Sequence, residues 1–81
     1  MKKPVKINQT IHELNEKYPE FKHAMIEAGF EKIASPKMMA TVGRFMTIEK
    51  GAAMKDISLE TIKEVFESKG FALINEEGDV L

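Results

Sequence analysis

Apolar residues recur at helical spacing along most of this 81-residue chain. The clearest run is Leu59, Ile62, Val65 and Phe66, with Glu60, Lys63, Glu64 and Glu67 between them. That pattern predicts an amphipathic helix with Ser58 as its N-cap and Gly70 as its end. Upstream, Ile11, Leu14 and Tyr18 share one face, and Thr10-Ile11-His12-Glu13 has the form of a capping box. They predict a helix over 11–17 that stops before Pro19. Pro19 then suits the first position of a second helix, whose apolar stripe is Phe21, Ala24, Met25 and Ala28 and whose natural stop is Gly29. Ser35-Pro36 starts a short third helix to about Val42, which Gly43 breaks or bends. Thr47 caps a fourth over 48–54, where Gly51 either permits close approach of another helix or is a plain surface glycine.

The two ends read differently. Val5-Lys6-Ile7 alternates, which fits a short strand or an irregular arm. Phe71-Ala72-Leu73-Ile74 is a short apolar run, and Asn75 to Asp79 forms a turn before Val80-Leu81. If both ends are strands, they can pair. The expected fold is therefore mainly all-α: a single domain over 1–81 with about five short helices and a minor terminal strand pair. Residues 1–9 form an arm, 10–70 the helical core, and 71–81 a tail or short hairpin.

Composition narrows the function. At this length the expected stability is about 4–12 kcal/mol, and such small cores usually gain help from a disulfide, a metal or a second chain. The chain has no cysteine, so disulfides and thiolate-held metals or iron–sulfur clusters are excluded, and two histidines are too few for an ordinary structural zinc site. Self-association is the remaining form of help. A net charge of −1 gives no electrostatic drive toward nucleic acid or anionic membrane. No apolar run follows Lys2-Lys3, and none is long enough to cross a bilayer, so the expected location is the cytoplasm.

No catalytic constellation is visible. The hydroxyls of Thr10, Thr47 and Ser58 read as helix caps, and His12 and His23 fall on different helices with no ligand motif. Two clusters stand out. Lys32, Ser35 and Lys37 surround a helix start and form a candidate ligand or anion site. Met38, Met39, Phe45, Met46 and Met54 gather flexible thioethers and an aromatic ring in mid-chain, a candidate interaction surface.

Certain motifs carry a resemblance. Ile7-Asn8-Gln9-Thr10-Ile11, Leu14, Lys17-Tyr18-Pro19-Glu20, Ala28-Gly29-Phe30, Pro36, Thr47-Ile48 through Ala52-Ala53, and Ile57-Ser58-Leu59-Glu60 together span about residues 5–70. In this order they resemble a small bacterial domain family of unknown function. That family is similar to the N-terminal domain of the ScdA-type iron–sulfur-cluster repair proteins and includes the redox-disulfide domain found near hybrid-cluster proteins. The resemblance implies a helical scaffold, an accessory role and a partner from a redox or iron–sulfur-cluster system. It also implies a Cys-x-x-Cys pair, but the corresponding positions here are Lys32 and Ser35, which form no disulfide. The expected function is thus a non-catalytic helical interaction module, a homodimer joined through Met38–Met54, with no cofactor, nucleic acid or membrane. The alternative is a degenerate accessory domain of a redox or cluster system that binds an anion near Lys32 and Ser35.

Overall fold

A computed structural model describes residues 2–81. Among the described residues are five α-helices and two strands: β1 (Lys3–Lys6), α1 (Ile11–Lys17), α2 (Phe21–Ala28), α3 (Pro36–Ala40), a 3-10 turn (Val42–Arg44), α4 (Ile48–Lys55), α5 (Leu59–Ser68) and β2 (Phe71–Ile74). The fold is mainly α, as the periodicity predicts.

The helix starts follow from local chemistry. The hydroxyls of Thr10, Ser35, Thr47 and Ser58 each accept a hydrogen bond from the backbone N–H three residues on, at 3.1–3.3 Å. Each thereby satisfies a donor that the first helical turn cannot. α2 differs from expectation. Its N-cap is Glu20, with no side-chain capping bond, and Pro19 lies before it. The Glu20 side chain is engaged elsewhere, paired with the Lys3 ammonium of β1. That ammonium, together with a backbone hydrogen bond at Glu20, holds the Glu20 carboxyl below its usual range. At the other end of α2, Gly29 takes φ +108° and its N–H returns to the carbonyl of Ile26.

β1 and β2 pair in parallel, with Lys3 opposite Phe71 and Lys6 opposite Ile74. The two terminal segments thus form the minor strand pair that the sequence allowed for. Val5 and Phe71 are fully buried, and Leu73 nearly so. Beyond β2 the chain turns through Asn75–Asp79 and returns one antiparallel bridge, Ile74 to Val80. α5 lies on β2, and α2 packs on α5. The core at that junction is aromatic: Phe21, Phe66 and Phe71 meet pairwise with centroids 5.6–6.2 Å apart, and Tyr18 adds an edge contact to Phe71 at 5.5 Å. On the far side, α3 and the 3-10 turn pack against α1. The Ile11 N–H donates to the carbonyl of Met46, and the Glu49 N–H to that of Ile7, tying the starts of α1 and α4 together. Among the described residues, no helix is long and apolar enough to cross a membrane.

Candidate interaction site

The segment from Ser35 to Lys55 is built from three short pieces held at angles by their own polar groups. α3 ends after one turn because the Thr41 hydroxyl turns back to donate to the carbonyl of Lys37 at 2.9 Å. The Arg44 Nε donates to the carbonyl of Ala40 at 2.8 Å, satisfying another helix-end acceptor and fixing the 3-10 turn. Gly43 sits in that turn, where a Cβ would lie 3.3 Å from the Met39 sulfur. The predicted third helix is thus shorter than the sequence suggests, and Gly43 marks the change of direction.

Between this turn and α4 an apolar groove of about 150 Å³ opens. Phe30, Ile33, Met38, Val42, Met46 and Met54 line it, with Lys32 and Lys55 at its edge. Gly51 forms part of one wall. It is buried, and a Cβ there would come within 3.1 Å of the Phe30 ring. The close approach that Gly51 permits is to this ring rather than to another helix. Phe45, next in the chain to the lining residue Met46, is 78% exposed; Met54 is 70% exposed.

Of the predicted surface residues, Met38, Met46 and Met54 line the groove and Phe45 is exposed next to Met46 in the chain. Met39 differs: it is 5% exposed and belongs to the core, because it lies on the face of α3 turned toward α1. The residues of the predicted anion site have separate positions. Lys32 faces the groove, the Ser35 hydroxyl is occupied by the Met38 N–H, and Lys37 is exposed on α3.

A second cleft of about 320 Å³ lies on the α1 side, of mixed lining, with the polar side chains of His12, Asn15, Glu16 and Lys22 and the apolar ones of Ala34, Pro36, Met39 and Ala40. His12 Nε2 is 3.6 Å from Glu16 Oε1. The Asn15 Oδ1 is buried without a hydrogen-bond partner among the described residues. Sequence reading passed over this cleft. Its only local signal was the spacing of His12, Asn15 and Glu16 on one helical face. No group of three or more His, Cys, Asp or Glu side chains among the described residues is arranged to hold a metal ion.

The sequence of the family described as a domain of unknown function, DUF1858, matches residues 6–63. The chain belongs to this family. Its fold is similar to that of a conserved domain protein from Streptococcus pneumoniae TIGR4, known from a crystal structure, at a TM-score of 0.83 and 27% sequence identity. The match covers 91% of this chain and 94% of that one. Among curated proteins, none matches. The family match begins at Lys6, before the α1 cap, and ends within α5, so it takes in both clefts and leaves out β2.

Proposed function

We propose that this member of the DUF1858 family is a helical interaction module that acts by contact and self-associates through the segment Met38–Met54. The observation that carries this reading is the apolar groove with its thioether lining, with an exposed phenylalanine next in the chain to the lining residue Met46. Methionine side chains are unbranched and polarizable and so adapt their shape to an incoming surface, which suits a groove that must be filled from outside. A small core also gains stability from a second copy by mass action. Size-exclusion chromatography with light scattering tests it. The wild-type chain elutes as a dimer at micromolar concentration, and the double variant Met38→Glu/Met54→Glu as a folded monomer. A wild-type monomer at every concentration would end this reading.

A second reading places the partner in a redox or iron–sulfur-cluster system, as the resemblance to the ScdA-type N-terminal domain implies. The motifs Tyr18-Pro19-Glu20 and Ala28-Gly29-Phe30 support it. Co-purification of an identified cluster-repair or hybrid-cluster protein with the wild type, lost in the double variant, would favour this over self-association.

A further inference from the structure

We infer that Phe45 of one copy fills the apolar groove of a second copy, and that the second copy's Phe45 fills the groove of the first. This rests on the self-association reading above and specifies its anchor.

Size comes first. A cavity of roughly 150 Å³ lined by aliphatic and aromatic side chains accommodates one benzene ring, and the groove here is about 150 Å³. Chemistry agrees with size. Met38, Met46 and Met54 offer sulfur atoms of the kind that pack well at an aromatic edge. Lys32 and Lys55 at the groove edge can place an ammonium over the ring face, where the quadrupole attracts a cation. That electrostatic match favours an aromatic guest over an aliphatic one of equal volume.

The chain itself supplies such a guest. Among the described residues Phe45 is the one exposed aromatic side chain: Phe21, Phe30, Phe66 and Phe71 are buried and Tyr18 is half-buried. Phe45 does not fill its own groove. Its neighbours Val42 and Met46 form the wall, both tied to the same turn by N–H bonds from Phe45 and Met46 to the carbonyl of Val42, while the Phe45 ring projects to solvent. The residue that carries the exposed ring is thus next in the chain to one wall residue and three from another. A two-fold dimer requires that juxtaposition, because each subunit must present both the projecting group and its receptacle. The Arg44 bond to Ala40 holds the turn that carries the ring, so little freedom is lost on docking.

Sedimentation velocity over a concentration series tests the inference with four samples: wild type, Phe45→Ser, Met54→Glu, and an equimolar mixture of the two variants. Both substituted positions are largely exposed, and circular dichroism confirms that each variant folds. The wild type dimerises, and each variant alone associates at least tenfold more weakly. The mixture recovers dimer, because the ring of the Met54→Glu chain meets the intact groove of the Phe45→Ser chain. Wild-type dimerisation that Phe45→Ser leaves unchanged, or a mixture no stronger than its parts, overturns the inference while leaving self-association through this segment standing. A monomeric wild type overturns both.

Discussion

Gly29 carries the sharpest constraint on any single residue. Its φ of +108° is open to glycine and strained for any residue with a Cβ, and the added atom would also sit 3.0 Å from Ile57 Cδ1. Gly29→Ala is expected to lower stability by about 1–2 kcal/mol from the backbone alone, read as a lower urea midpoint at unchanged slope. Thr47 is 7% exposed and caps α4 through Lys50. Thr47→Ala should cost about 1 kcal/mol, and Thr47→Ser much less, since serine keeps the capping oxygen. Glu20 titrates in a defined direction. Its carboxyl is held below the usual range by Lys3, so the pair stabilises the fold above the ordinary glutamate value and loses that contribution as pH falls through the lowered one. Wild type and Glu20→Gln should therefore differ slightly at neutral pH and converge in strong acid, as measured by urea denaturation at each pH. Because the pair is exposed and screened by salt, the difference should shrink in high salt too.

At the scale of elements, the helices were legible because their signals are local. A hydroxyl, a proline or a glycine at the right offset acts within one turn, and Thr10, Ser35, Thr47 and Ser58 all cap where sequence spacing puts them. The stripe Phe21, Ala24, Met25 and Ala28 is wholly buried, and Ile62 and Phe66 are fully enclosed. What could not be read was anything set by residues far apart. The Glu20 side chain pairs with Lys3, seventeen residues away across the fold. That the two ends can pair was legible from their strand-like patterns, but the parallel sense and register of β1 with β2 follow from where five intervening helices bring the chain, which no window of sequence contains. The same limit applied to the candidate site. The methionine cluster was visible as composition, yet which members face a groove depended on the turn at Thr41–Arg44 and on the ring of Phe30, and Met39 went inward. The cleft with His12, Asn15, Glu16 and Lys22 needed α2 and α3 to close it, so it left almost no trace in one helix.

The whole molecule depends on few large side chains. Phe21, Phe66 and Phe71 form one contact group joining α2, α5 and β2. Truncating a buried phenylalanine typically costs about 3–5 kcal/mol, against a total of about 4–12 kcal/mol for a chain of this length. Phe66→Ala should therefore leave little or no folded protein at 37 °C, seen as loss of the far-ultraviolet helical signal, with partial recovery for Phe66→Leu. Phe45, the one phenylalanine outside the core, should tolerate substitution without any such loss. The joining of β1 to β2 bears on biosynthesis. A strand made before five helices waits for its hydrogen-bonding neighbour until all of them have been made, with Val5 uncovered and the aromatic cluster lacking one ring. The nascent segment is thus adhesive until Phe71–Ile74 emerge, and a product ended before them would meet proteases and chaperones as an unfolded chain.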